Sequence, residues 1–269
     1  MDRGSVRAAY DHELRVEAYH FKGAVRPFPE HFHEYYVVGV VEAGERRLIC
    51  NRKEYAVIPG DMLLFNPGDN HACTQCGGTL DYRSVHFSKD TLMRLTGGGE
   101  LDGLLCFKRP VVSDRALTDR FRAVHRAMIQ SSAVPAGEMS ELLSELLEQC
   151  GQARSGVREG EDVVEKVCAY MEKNYGSHIS LEQLCRFGGI SRSTLLRAFL
   201  QEKGITPYRY LENVRISAAK RLLEQGVPPA EAAAQTGFSD QSHFTNYFTR
   251  FIGISPGAYQ MIFRKEDKG

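Results

Sequence analysis

Long apolar runs are missing from this 269-residue chain: none approaches the ~20 residues that a membrane span requires. The opening stretch, MDRGSVRAAYDHELRVEAYHF, lacks the apolar centre of a secretory signal, so the cytoplasm is the expected compartment. Net charge is missing too. Lys+Arg and Asp+Glu each number 34, divided as 20 against 22 over residues 1–160 and 14 against 12 over residues 161–269. So slight an asymmetry is no proof of a polyanionic partner. Cysteines are few and odd in number, seven along the whole chain, which argues against a secreted disulfide framework. Enzyme signatures are absent as well: there is no GxSxG, no Walker loop and no dinucleotide fingerprint. LTGGGELDG is rich in glycine but lacks the Lys-[ST] ending of a phosphate cradle. What is present is a 42% hydrophobic content, ample for folded cores, and a length that suits two domains of roughly 100–150 residues.

Periodicity changes along the chain. From Tyr35 to about Phe87 the pattern is strand-like, with YYVVGVV and RRLIC flanking EAGE as an expected hairpin loop. Pro-Gly breaks in YAVIPGDMLLFNPGD separate short apolar runs, and TLDYRSVHF alternates, which together indicate a β-sandwich or barrel. From Asp114 the period becomes helical. Leu117, Phe121, Val124 and Met128 share one face, and Leu142, Leu143, Leu146 and Leu147 follow on a second helix. Residues 151–161 read as a Gly-, Ser- and charge-rich linker. The fold class is therefore α+β and multidomain: a strand domain over 1–113, a helical segment over 114–150, the linker, and an all-α domain over 162–269.

The all-α part contains a repeat. FLQEKGITPYRY (199–210) and FTRFIGISPGAY (248–259) share the pattern F-x(4)-G-I-[ST]-P-x-x-Y. Before the first copy, Ser180 starts a helix, Gly188-Gly189 breaks it, and Ser191 caps a second helix that turns Leu195 and Phe199 inward. Before the second, Pro229 opens a helix, Gly237 makes the turn, Ser239 or Asp240 caps, and Phe244 and Phe248 point inward. Helix, Gly turn, helix is the helix-turn-helix plan, present twice and joined by PYRYLENVRISAAKRLLEQG. A recognition helix fits the DNA major groove. Its outward residues would be Arg192, Ser193, Thr194, Leu196 and Arg197 in the first unit, and Gln241, Ser242, His243, Thr245 and Asn246 in the second.

ISRSTLLRAF, RISAAKRLL and GFSDQSHFTNYFTRFIGISPGAY, in that order over about 100 residues, resemble the DNA-binding domain of the AraC/XylS family of bacterial transcription regulators. The resemblance implies a seven-helix domain with two recognition helices in adjacent grooves. Two positions depart from the family pattern. Asn246 stands where Arg or Lys is frequent, which puts base preference in doubt, and Ala232 stands where a larger aliphatic residue is usual.

HFHEYY, YAVIPGDMLLFNPGDNH and YRSVHF resemble the cupin-like β-barrel sensor of the same family. The resemblance implies an effector bound in the barrel, with His31, His33, Tyr35, Phe65, His71 and His86 lining its site, and 114–150 serving as a dimerisation segment. The implied function is a cytoplasmic, ligand-responsive transcriptional activator rather than an enzyme. Its implied partners are double-stranded DNA, a small-molecule effector such as an amino acid or related metabolite, RNA polymerase and a second copy of the chain. No cofactor is expected. Where enzymatic cupins carry an acidic ligand this chain has Val37 and Val38, so a two-His-one-carboxylate iron site is not evident. Alternatives stay open. His31, His33 and His71 can line a metal-free pocket, hold a metal, or be structural; Cys73 and Cys76 can be ordinary thiols or join His71 as a metal or redox site. A cupin metalloenzyme fused to a DNA-targeting domain is the rival class.

Overall fold

The computed structural model describes residues 4–25, 27–97, 105–131, 136–153 and 163–264. The chain forms two compact units, and neither is continuous in sequence. The first is built from Met1–Pro27, Glu34–Asp69 and Cys73–Val157; the second from Phe28–His33, Asn70–Ala72 and Arg158–Gly269.

The first unit centres on a sheet. The strands of the sheet are β1 (Ser5–Asp11), β2 (Val16–Ala24), β3 (Phe28–His31), β4 (Tyr36–Cys50), β5 (Lys53–Val57), β6 (Met62–Phe65), β7 (His71–Phe87) and, after helix α1 (Lys89–Leu95) and strand β8 (Leu105–Phe107), β9 (Val111–Val112); of these, β3 and the first two residues of β7 are counted with the second unit. Among the described residues the pairing path runs β1-β2-β7-β4-β6-β9, with β3 added to β7 and β5 to β4. Side chains alternate across a strand, so every second residue reaches the core. Val16 and Ala18 of β2, Val38 and Val40 of β4, Met62 and Leu64 of β6, and Val85 and Phe87 of β7 do so. They meet the apolar stripes of helices α2 (Arg115–Ser131) and α3 (Ala136–Cys150), where Leu117, Phe121, Val124, Met128, Leu142, Leu143 and Leu146 are buried. Leu147 is partly buried against the same core.

Two local expectations are corrected. EAGE is not a hairpin loop: β4 runs through it as one 15-residue strand. Gly44, at φ +85°, lets the strand turn from one partner to another without ending. Its first part pairs with β6 from Val37↔Phe65 to Val40↔Met62, and its second with β5 from Arg46↔Val57 to Cys50↔Lys53. The hairpin lies at Asn51-Arg52, whose φ values of 48° and 67° are those a two-residue type I′ turn needs. The second correction concerns the linker. Gly151–Ala153 form strand β10, which pairs with β8. Residues 154–162 lie outside the described residues, as do 98–103 of LTGGGELDG.

Gly39, in the middle of β4, has no room for a side chain. A Cβ there would collide with the Tyr82 hydroxyl and lie 2.7 Å from the Arg83 carbonyl oxygen. The backbone atom cannot yield as a side chain could. Gly39→Ala is therefore expected to destabilise the first unit by about 1–3 kcal/mol in a urea titration.

In the second unit seven helices are described: α4 (Val163–Asn174), α5 (Leu181–Gly188), α6 (Arg192–Glu202), α7 (Pro207–Glu224), α8 (Pro229–Gln235), α9 (Gln241–Ile252) and α10 (Pro256–Met261). Val164, Val167, Met171, Leu184, Leu195, Phe199, Ile205 and Leu211 form one core cluster. Phe244, Phe248, Phe251, Tyr259 and Leu223 are buried around the second helix-turn-helix.

Candidate nucleic-acid interface and a three-histidine cluster

The two helix-turn-helix units are built by the same local devices. Ser191 caps α6 by accepting from the Thr194 N–H at 3.2 Å, and Asp240 caps α9 by accepting from the His243 N–H at 2.7 Å; of the two preceding helices, α5 is capped by Ser180 in a reciprocal capping box with Gln183, while α8 opens on Pro228-Pro229. Each tight turn contains a left-handed glycine, Gly189 at φ 64° and Gly237 at φ 76°. Each turn is closed by a bond reaching back five residues, from Ile190 N–H to the Cys185 carbonyl and from Phe238 N–H to the Ala233 carbonyl, both at 3.1 Å. Gly237 has a second requirement, because a Cβ there would sit 2.7 Å from the Tyr175 carbonyl oxygen.

The G-I-[ST]-P phrase does more than stop a helix. After the left-handed Gly204 and Gly253, Thr206 and Ser255 each cap the next helix, and Pro207 and Pro256 occupy its first turn. The final tyrosine of the phrase is an anchor. Tyr210 donates to Glu172 at 2.5 Å, and Tyr259 donates to Glu224 at 2.6 Å. Those glutamates end α4 and α7, so each repeat ties its closing helix back to its opening one. The sequence carried the tyrosines in register; nothing in the motif pointed to their glutamate partners, which lie 38 and 35 residues away.

The outward faces emerge as follows. In α6, Leu195 and Phe199 are fully buried while Arg192, Ser193, Thr194 and Arg197 are exposed. Ser193 and Thr194 share their hydroxyls with the Ser191 cap, at 3.1 and 2.9 Å, which leaves the two arginines as the long side chains on that face. In α9, Gln241, Ser242 and Asn246 are exposed. Leu196 and Thr245 are half-buried. His243 is half-buried as well, and its ring packs against Phe238 and Tyr247, with centroids 5.7 and 4.8 Å away. Ala232 is fully buried in α8, and its carbonyl accepts from the Thr236 hydroxyl at 2.7 Å.

Two groupings emerge among the six residues expected to line an effector site. His31 ends β3, His33 follows it, and His71 opens β7. All three belong to the second unit and are buried, with one ring nitrogen from each lying within 4.8 Å of the others. The His31–His71 and His33–His71 ring centroids are 4.3 and 4.8 Å apart. His31 Nδ1 is 2.7 Å from the Pro29 carbonyl oxygen, which can only accept, so Nδ1 carries the proton. Burial lowers the His31 pKa to about 4; the bond to Pro29 opposes that shift and the positive charge of Arg209 adds to it. The same segment packs among the helices of its unit. The His31 ring stands edge-on to Phe251 of α9 at 5.8 Å, and Phe32 lies 5.0 Å from Tyr210 of α7. The Phe32 N–H donates to the Asn213 side chain at 3.2 Å.

Tyr35 and His86 are placed in the first unit, with rings stacked at 5.1 Å, and Tyr19 lies 4.6 Å from the same histidine. Phe65 is buried at the end of β6. Residues 28–33 and 70–72, which carry the three histidines, group with the helical unit, while Tyr35, Phe65 and His86 belong to the first unit. Cys73 is buried on β7, and the side chain of Cys76 lies outside the described residues. The first unit also holds a cleft of about 300 Å³ whose lining includes Lys53, Tyr55, Asn66, Asp69 and Lys108, and none of the six residues.

A strand-rich unit preceding seven helices with two helix-turn-helix motifs defines a class: a sensor-type domain joined to a DNA-binding domain. The AraC-like ligand binding domain model matches residues 14–147, and the helix-turn-helix domain model matches 184–261. The chain belongs to the AraC family of helix-turn-helix transcriptional regulators. It is 43% identical over 267 residues to the HTH-type transcriptional regulator YbfI of Bacillus subtilis, covering 95% of each chain. It is 27% identical over 256 residues to the HTH-type transcriptional activator RhaS of Pectobacterium carotovorum, covering 89% of this chain and 90% of that one. Among solved structures, wild-type ToxT from Vibrio cholerae with a bound unsaturated fatty acid has a similar fold, at a TM-score of 0.55 and 13% identity over 97% of this chain and 98% of that one. No helix among the described residues is long and apolar enough to cross a membrane.

Proposed function

We propose that this chain is a cytoplasmic, ligand-responsive activator of transcription that reads double-stranded DNA through α6 and α9. The observation that carries this reading is the duplicated architecture. Two helices with buried aromatic faces and exposed polar faces are held by matching caps and turns within one unit. On α6, Arg192 and Arg197 suit guanine edges or phosphates; on α9, Gln241 and Asn246 suit adenine. The YbfI and RhaS relatives, over nearly the full chain, support a regulator rather than an enzyme, and RhaS supports activation. A homodimer through the helical segment 114–150 and contact with RNA polymerase complete the reading.

Ligand response is assigned to His31, His33 and His71, the three of the six expected residues that the fold brings together. His33→Ala should abolish the response while folding and DNA binding persist.

DNA binding by the full chain should weaken steeply with salt, because phosphate contacts release counterions. For six phosphate contacts the slope of log K against log salt is about −5. A fluorescence-anisotropy titration at several salt concentrations checks it. A folded chain with no salt-sensitive binding to any duplex would overturn the DNA-binding reading.

A further inference from the structure

We infer that His31, His33 and His71 form a site for one first-row divalent metal ion, with zinc the best match, and that occupancy of this site tunes DNA affinity. The inference rests on the DNA-binding reading above and names the ligand class of the cluster assigned there.

The donor set comes first. Three imidazole nitrogens converge from two short segments, and all three residues are buried, at 9%, 6% and 5% exposure. Three atoms all within 4.8 Å of one another have a common point no more than about 2.8 Å from each, a gap the size of a single ion rather than of an organic molecule. Zinc–imidazole bonds of about 2.0–2.1 Å need each ring to move inward by under about 1 Å. Imidazole suits zinc, copper, nickel and iron, and three such ligands leave a fourth position for water or an exogenous donor.

The surroundings prepare the site. The Pro29 carbonyl holds the Nδ1 proton of His31, the kind of outer hydrogen bond that orients a metal-binding histidine. Asn70 donates to Glu30 at 3.1 Å, pinning the two histidine-bearing segments to each other. The nearby Arg209 is paired with buried Glu212 at 2.9 Å, which offsets a cation that would otherwise oppose a metal ion.

The location supplies the consequence. His31 rests on Phe251, the last residue but one of the α9 recognition helix, and the Arg209 guanidinium lies over the same ring at 5.7 Å. Phe32, between the two ligands on the first segment, packs on Tyr210 of α7. An ion that draws His31 and His33 toward His71 therefore acts on side chains seated against α7 and α9.

The test uses the full chain, stripped with a chelator and titrated with Zn2+ and with Co2+. Wild type should bind one ion per chain, show the visible bands of tetrahedral cobalt, and unfold at a higher temperature when loaded. His33→Ala and His71→Ala should lose stoichiometric binding. Affinity for a preferred duplex should differ by about fivefold or more between stripped and loaded wild type, within the usual range of allosteric coupling, and should not change in the variants. The cobalt spectrum of wild type needs no variant to fold. Wild type binding no ion, variants binding as wild type does, or a DNA affinity indifferent to the ion would each overturn the inference. Loss of duplex binding in both the stripped and loaded states would instead bring down the DNA-binding reading itself.

Discussion

Phe248→Ala should remove about 3–5 kcal/mol from the stability of the helical unit, enough to unfold it if its total lies at the low end of the 5–15 kcal/mol of ordinary domains. Phe248 is fully buried, and its ring meets Phe244 at 5.5 Å and Tyr259 at 5.4 Å. Truncation leaves a cavity between α9 and the helix that follows, and Tyr259, whose hydroxyl is held by Glu224, is not placed to collapse into it. Leu200→Ala is the matched control. Leu200 is 47% exposed on α6, next in sequence to the fully buried Phe199, and should change stability by no more than about 0.5 kcal/mol. Urea denaturation followed by circular dichroism compares the two. Similar losses for both would mean that the inward faces of these helices are wrongly assigned.

Arg197→Ala should weaken binding to the preferred duplex by about 1–3 kcal/mol and relax base preference at one position. Arg197 is exposed on α6, two residues from buried Leu195 and Phe199, so its guanidinium is directed away from the core. The rigid, planar guanidinium of arginine donates two parallel bonds to the O6 and N7 acceptors of a guanine edge. Lys173→Ala is the comparison. Lys173 lies in the last turn of α4, outside both recognition helices, and its loss should at most weaken all sequences alike. Competition titrations against a library of single-base variants measure both effects. If Arg197→Ala leaves the preference intact, α6 does not read bases through this residue.

The two halves of the molecule were unequally legible in the sequence, and the reason is locality. Caps, left-handed glycines and inward aromatics are decided within four or five residues. Ser180, Ser191, Gly189 and Gly237, and the pairs Leu195–Phe199 and Phe244–Phe248, accordingly stand where the helix periodicity put them. EAGE was misread because a glycine between two apolar runs serves equally for a turn or for a bend in a continuing strand. Only the pairing of β4 with β6 and then β5 separates those outcomes.

By itself the sequence determined the class of this protein: a strand-rich sensor-type half, then two helix-turn-helix units built from one repeated phrase. Those features rest on backbone propensities and side-chain periods that act along the chain. The tertiary structure alone decided which distant residues meet. It anchored Tyr210 on Glu172 and Tyr259 on Glu224, stacked Tyr35 on His86, and brought His31 and His33 together with His71 from two segments far apart in the chain. Such contacts depend on burying apolar surface between segments far apart in the chain, a term that no local pattern records.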